Sequence, residues 1–265
     1  LRRRREHRIE VLNALLADLA AQAPDHIAVT GDLVNVALPG EFAGARAFLD
    51  SLGPPERVSF VPGNHDAYVR AALAQSHTHW RHYFAADEAG GDAADREAFP
   101  YLRRRGPVAS VGVSTALPTG PFMATGRIGD AQLRRLDLML EALPADVFRV
   151  VLMHHPPVTL PRDRLKRLID AAAFRDVLQR RSADLVLYGH IHRASLAWLP
   201  GDIPAVSVPS ASANLHGEAP AGYHLFAIDR DAGARWTCTM VTRGLAEDGA
   251  TIREIARQTI WPRTR

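Results

Sequence analysis

Val61-Pro62-Gly63-Asn64-His65-Asp66 is the stretch on which the rest of this sequence turns. The apolar run Val58 to Val61 reads as a buried strand that stops at Pro62-Gly63 and then presents an amide, an imidazole and a carboxylate in succession. Asn and Asp are ordinary turn residues and a single turn histidine is commonly just solvated, so Gly-Asn-His-Asp alone is a weak signal. Three further segments strengthen it, because each is built the same way, as a strand running into polar residues. They are His26 to Thr30 before Gly31-Asp32, Val147 to Met153 before His154-His155-Pro156-Pro157, and Leu185 to Tyr188 before Gly189-His190-Ile191-His192.

The segments between these strands read as helices. Ile9, Leu12, Leu16 and Leu19 share a face at helical spacing and Pro24 ends that helix. Pro39 opens a second helix, whose Phe42, Ala45, Phe48, Leu49 and Leu52 form an apolar stripe. Ala67 to Ala86 is expected to be helical, with His77, His79 and His82 as surface or packing residues, and Gly90 to Asp95 to be a flexible loop. Val108 to Ser114 is a strand, Pro118 to Gly129 a loop, and Asp130 to Leu143 and Asp163 to Arg181 are helices. Helices alternating with strands signal a largely parallel sheet covered by helices. After His192 the pattern changes to strands without long helices, at Ser195 to Leu199, Ile203 to Val208, Tyr223 to Asp229 and Arg235 to Thr242. These predict a second, mostly antiparallel sheet packed on the first, within one domain over residues 1–265.

In an open parallel sheet the carboxyl ends of the strands lie along one edge, where ligands bind. Asp32, then Asn64, His65 and Asp66, then His154 and His155, then His190 and His192 should therefore converge. If these histidines only satisfied loops, four coincidences of position and residue type would be needed. The single cysteine, Cys238, cannot build a thiolate site, so any metal is held by nitrogen and oxygen. That donor set suits Mn, Fe, Co, Ni or Zn and is too rich in imidazole for Mg or Ca. A carboxylate such as Asp32 can bridge two ions about 3.5–4 Å apart, which would turn a bridging water into hydroxide and clamp phosphoryl oxygens. Hydrolysis of a phosphate ester follows.

The ordered set Gly31-Asp32, Gly63 to Asp66, His154 and Gly189 to His192 resembles a calcineurin-like metallophosphoesterase. The resemblance implies a four-layer αββα sandwich of two mixed sheets flanked by helices, and a centre of two divalent or trivalent ions. It implies that Asp32 bridges the ions, that Asn64, His154 and His190 complete one shell, and that His192 belongs to the other. His65 would be the non-ligand histidine that protonates the leaving group or steadies the phosphate, with Asn35, Asp66 and His155 as supporting or substrate-side residues. The family's Asp-x-His motif does not precede Gly31-Asp32. An N-terminally truncated record is the expected explanation, since otherwise one metal site is crippled. Members that act on phosphoproteins carry Asp and Glu where this chain has Asn35 and Asp66, so a protein phosphatase is not expected. Gly-Asp-Leu-Val-Asn with His-His-Pro-Pro-Val looks more like the bacterial branch of cyclic-nucleotide and glycerophosphodiester phosphodiesterases. The alternatives are a lipid-linked pyrophosphatase, a nuclease, or a scaffold that has lost the chemistry.

Composition bounds the partners. A formal charge of +3 and a pI near 9.4 invite nucleic acid, but the arginines are spread along the chain and Lys166 is the only lysine. Arg2 to Arg5 and Arg103 to Arg105 read as solvated faces or as contacts to phosphate or anionic lipid. Trp80, Phe84, Phe122 and Met123 would supply an apolar lip to the site. The expected partner is a small phosphorylated substrate, a membrane surface is reachable only through those basic and apolar patches, and no protein partner is evident. With no targeting segment and no run long enough to span a bilayer, a cytoplasmic location is expected.

Overall fold

The computed structural model describes residues 7–68, 70–87, 98–120, 123–158, 164–215 and 219–263, so Arg2 to Arg5, the Gly90 to Asp95 loop and Phe122 lie outside the described residues. The chain is α/β and forms two compact units. The larger unit comprises His26–His190 and Leu196–Val206, and the smaller comprises Leu1–Asp25, Ile191–Ser195 and Ser207–Arg265.

In the larger unit, strands β1 (Ile27–Val29) and β2 (Val58–Phe60) pair in parallel, with Ile27 opposite Val58 and Val29 opposite Phe60. Helix α2 (Pro39–Leu52) connects them and buries Phe42, Ala45 and Leu49, the stripe expected from its spacing. The segment read as one helix over Ala67 to Ala86 is instead a 3-10 turn His65–Ala67, helix α3 (Arg70–Trp80) and a second 3-10 turn Arg81–Phe84. A six-stranded mixed sheet follows. Its strands are β3 (Tyr101–Arg105), β4 (Val108–Gly112), β5 (Phe148–Leu152), β6 (Leu185–Tyr188), β7 (Ser195–Leu199) and β8 (Ile203–Ser207), in the order β3-β4-β5-β6-β8-β7. β4, β5 and β6 are mutually parallel and β3 is antiparallel to β4. Helices α4 (Asp130–Glu141) and α5 (Ala171–Arg180) present Leu133, Leu136 and Leu140, and Phe174, Val177 and Leu178, to the interior. Lys166 and its neighbours form a 3-10 turn, so the helix expected from Asp163 begins later.

Two expectations fail for reasons of packing. Trp80 and Phe84 form no lip, because both are buried: the Trp80 ring lies 5.1 Å from Phe42 and 5.3 Å from Phe60, and Phe84 lies 5.1 Å from Phe99. Arg103 is no solvated charge either. It sits on a strand the sequence reading missed, 3% exposed, and donates to the carbonyls of Ala85 (2.8 Å), His82 (2.7 Å), Val58 (2.5 Å) and Pro55. A guanidinium with five donors can collect loose carbonyls that no other side chain would satisfy together.

The smaller unit holds helix α1 (Ile9–Gln22) and an antiparallel sheet of β9 (Gly222–Arg230), β10 (Trp236–Leu245) and β11 (Ile252–Arg263), in the order β11-β10-β9. The buried face of α1 is rotated from the expected one. Val11 and Leu15 are its core residues, packed with Ala221, Tyr223 and Leu245, while Ile9 is 62% exposed. Asp18, one turn on, accepts both Arg243 Nε and Nη2 at 2.7 Å and the Tyr223 hydroxyl at 2.6 Å, which fixes that rotation. Among the described residues no helix is long and apolar enough to cross a membrane.

Candidate metal centre

The parallel pairing of β1 with β2 brings their carboxyl ends side by side, so the segments Thr30-Gly31-Asp32 and Val61 to Asp66 leave the sheet together. The Val61 N–H still donates to Val29 O (3.1 Å), and two glycines then allow the loops to touch. A methyl on Gly31, where φ is +99, would stand 2.5 Å from Gly63 N, and one on Gly63 would fall on Asp32 Oδ1. Only glycine lets the backbones approach this closely.

Asp66 ties the two loops. Fully buried, it accepts the Asp32 N–H (2.7 Å) and Gly63 N–H (2.8 Å) on Oδ2, and the Leu33 N–H (2.9 Å) and Val34 N–H (3.2 Å) on Oδ1. These bonds hold Asp32 in a left-handed backbone conformation (φ 62), one that costs energy for a residue with a Cβ. Burial, with the charge of Asp32 second, pushes the Asp66 carboxyl up to about 7, against the pull of its N–H donors. Asp66 therefore shapes the site through the backbone.

Strands β5 and β6 lie in the six-stranded sheet, separate from the β1–β2 pair, and their carboxyl ends deliver the histidines to the same place. The Met153 N–H donates to Leu187 O (3.0 Å) and the Gly189 N–H to His154 O (3.1 Å), which carries the parallel ladder into both loops. His154 is 1% exposed and its Nδ1–H donates to Thr30 O (2.6 Å). That bond leaves Nε2 with its lone pair, as a metal ligand requires. Around His154 Nε2 stand Asp32 Oδ2 (3.3 Å), Asn64 Oδ1 (3.3 Å) and His190 Nδ1 (3.1 Å). The donor atoms of Asp32, His154 and His190 all lie within 4.8 Å of one another.

This geometry passes a test of fit for a cation. Four atoms able to offer lone pairs converge in a largely buried place, and a cation between them would satisfy all four at once. The titration behaviour agrees. Burial would lower His154, but the Asp32 charge and their hydrogen bond outweigh it and raise it. Burial would likewise raise Asp32, and His154 holds it well below the usual carboxylate range. A shared proton is the smallest cation that answers this demand.

The remaining residues lie around that core. His65 is half-buried; its N–H donates to Asp32 Oδ1 (3.0 Å) and its Nδ1–H to Asn35 O (2.5 Å). Asn35 thus acts through its backbone carbonyl, and Glu41 in turn accepts the N–H groups of Asn35 (3.3 Å), Val36 (3.2 Å) and Leu38 (2.9 Å). His155 is buried with Nδ1 2.7 Å from Thr115 Oγ1 and its ring 4.5 Å from that of His190. Burial, then the charges of His154 and His190, hold it well below the usual histidine range, so it is neutral. His192 belongs to the smaller unit, where it is exposed with φ 52. Thr30, Glu41 and Thr115 were missed by the sequence reading. Of these only Glu41, in the first turn of a helix opened by Pro39, had a legible signal.

A family model described as calcineurin-like phosphoesterase matches residues 5–194. No curated protein matches the sequence. Among solved structures, a dimetal phosphatase from Danio rerio aligns over 94% of this chain and 88% of that chain, with 14% identity and a TM-score of 0.64. Vacuolar Protein Sorting 29 from Cryptosporidium parvum aligns over 93% of this chain and 87% of that chain, with 15% identity and a TM-score of 0.47. At 14% identity the likeness to the Danio rerio phosphatase is one of fold.

Proposed function

This chain belongs to the calcineurin-like phosphoesterase family, and from that premise we propose that it is a phosphodiesterase acting on small molecules, with two transition-metal ions, Mn or Fe being the favoured pair. The observation that carries the reading is the convergence of His154 Nε2, Asp32 Oδ2, Asn64 Oδ1 and His190 Nδ1 on one place. When bound there, a first-row ion supplies Lewis acidity toward a phosphoryl oxygen and neutralises charge in the transition state.

The chain's own residues do the rest. Asp66 fixes the backbone of Asp32, and the Thr30 carbonyl fixes the tautomer of His154, so the donor atoms are aimed before any ligand arrives. His65 serves as the proton donor to the leaving oxygen. Its Nδ1 is engaged by Asn35 O, which makes Nε2 the nitrogen that can transfer a proton. Asn35 and Asp66, standing where phosphoprotein-directed relatives carry Asp and Glu, speak against a phosphoprotein substrate, and the diester reading rests on the likeness of Gly-Asp-Leu-Val-Asn and His-His-Pro-Pro-Val to the bacterial phosphodiesterase branch.

The test is hydrolysis of bis(p-nitrophenyl) phosphate and of p-nitrophenyl phosphate by chelator-stripped protein, before and after adding Mn. The expected result is activity only with metal, and a higher kcat/KM for the diester. Full activity in stripped protein would overturn metal dependence, and faster monoester cleavage would overturn the diester reading. Elemental analysis of the protein checks the metal count: one ion held tightly by Asp32, Asn64, His154 and His190 is expected, and a second held more weakly because no Asp-x-His precedes Gly31-Asp32 in this sequence, whereas two stoichiometric ions would mean further ligands.

A further inference from the structure

His155 touches the cluster of donor atoms without belonging to it, for the converging group is Asp32, His154 and His190. It has no exposed surface, and its seat is built from two other segments of the chain. The Thr115 hydroxyl, fully buried as well, hydrogen-bonds to His155 Nδ1 (2.7 Å) and accepts the His155 N–H (3.3 Å). Gly126 lies against the ring, so that a methyl there would fall on Nδ1, Cγ and Cε1. Neither segment is loose. The Gly126 N–H donates to Arg167 O (3.0 Å), its carbonyl accepts the Ile169 N–H (2.8 Å), and Thr115 O accepts the Arg127 N–H (3.0 Å). An apolar ring would fill the same space with no polar atoms to satisfy, so space-filling alone does not account for an imidazole with a buried hydroxyl to fix it. What the fixed ring faces is the pair of ligands. Its centroid lies 4.5 Å from that of His190, tilted by 40°, and 5.0 Å from that of His154, nearly perpendicular at 83°. His154 is held through its own Nδ1 by Thr30 O. His190 stands on a left-handed backbone (φ 68) and presents Nδ1, the ring nitrogen nearer the chain, so the setting of its ring decides where that lone pair points.

We infer that His155 is a positioning residue: its ring, locked by Thr115, is the wall on which the His190 ring rests, and it keeps His190 Nδ1 aimed at the point shared with His154 Nε2 and Asp32 Oδ2. This rests on the reading of Asp32, Asn64, His154 and His190 as ligands of one ion, and not on the substrate that the ion serves. His155 supplies no ligand atom. Its effect is to narrow the orientations open to His190 before an ion arrives, so that binding does not have to order the ring itself. Removing the wall leaves every ligand in the chain and lowers the affinity of the set.

The test is Mn binding to chelator-stripped protein by calorimetry, with the visible absorption of Co bound in its place as a record of ligand geometry. His155→Ala should weaken Mn binding by about 10–100-fold and shift the Co bands. Thr115→Val keeps the ring and removes only its lock, and should weaken binding by about 3–10-fold. His155→Phe restores a wall without ring nitrogens and should bind Mn within about 5-fold of the parent. Leu136→Ala, which empties a fully buried position in α4, should lower the urea midpoint and leave Mn affinity and the Co bands as they were. Unchanged Mn affinity in either His155→Ala or Thr115→Val would overturn the inference. So would a His155→Phe protein as weak as His155→Ala, because the nitrogens and not the wall would then matter, or an equal loss of affinity in Leu136→Ala, which would reduce the effect to general destabilisation. A parent protein that binds no Mn would overturn the metal reading together with this one. A parent that binds Mn and leaves bis(p-nitrophenyl) phosphate intact would overturn the phosphodiesterase reading alone.

Discussion

Replacing Asp66 by Asn should cost about 3 kcal/mol of folding stability, and the structure allows the figure to be worked out. The carboxylate accepts four backbone N–H groups between 2.7 and 3.2 Å and has no exposed surface. An amide of the same shape has one acceptor oxygen, so whichever way it faces, its NH2 meets two N–H donors. Two orphaned buried donors cost about 1–3 kcal/mol each, giving roughly 2–6 kcal/mol. Relief from burying a charge returns part of this, which places the expected loss near the lower half of that range. Asp66→Ala orphans all four donors and should cost about 4 kcal/mol or more, a large share of a total stability of about 5–15 kcal/mol. The assay is urea unfolding of metal-free protein at pH 8, with Mn binding by calorimetry alongside. Asp32 loses its backbone anchor in both variants, so Mn affinity should fall by about 10–100-fold, as when the support behind a ligand is removed. An Asp66→Asn protein within about 1 kcal/mol of the parent, binding Mn equally well, would refute the assignment of Asp66 as the tie between the loops.

His65→Ala should lower kcat by about 10²–10⁴, with unchanged metal content and a larger loss for alkoxide leaving groups than for p-nitrophenolate; loss of metal in that variant would make His65 a ligand. Gly63→Ala should weaken metal binding more than it lowers stability, because the added methyl falls on Asp32 Oδ1 and 2.7 Å from His154 Cε1; calorimetry and urea unfolding of the same sample separate the two. Arg103→Met should cost about 3 kcal/mol or more in urea unfolding, since it strips one partner from four backbone carbonyls; a loss below about 1 kcal/mol would return Arg103 to the surface role read from sequence. Burial, helped by the charges of Arg105 and Arg103, holds His26 down to about 4 from 6.5, so the folded state refuses a proton that the unfolded chain accepts. Stability from this residue is present above pH 6.5 and lost as pH falls toward 4, by up to roughly 3 kcal/mol, and His26→Gln should flatten that slope in thermal unfolding followed across the same window.

The metal-competent residues were legible from sequence because their signal is local. A buried strand that ends in Gly-Asp, Gly-Asn-His-Asp, His-His or Gly-His-x-His shows both the residue types and their place at a strand's carboxyl end, and parallel pairing does the rest. Much of the order of helices and strands was legible for the same reason, with edges shifted by a few residues where 3-10 turns replace helix, but β3 and β11 were not read, since Arg103 to Arg105 and the charged, alternating run from Ile252 carry no buried apolar run. Tertiary structure alone decided what stands behind each ligand. The carbonyls of Thr30 and Asn35 that set the His154 and His65 rings belong to backbone, which carries no side-chain signature. The four amides that Asp66 collects come from segments some thirty residues away in the chain as well as from Gly63 nearby. It also decided which apolar residues face water. Leucine, isoleucine and valine recur through α1, so several faces satisfy the spacing, and Asp18 reaching Arg243 selects the one that buries Val11 and Leu15. Trp80 and Phe84 went inside because Phe42, Phe60 and Phe99 offer them rings to pack on, while Val36, Leu38 and Tyr68 stayed exposed. Sequence periodicity reports which residues can share a face, whereas the choice of partner for that face depends on contacts between residues far apart in the chain.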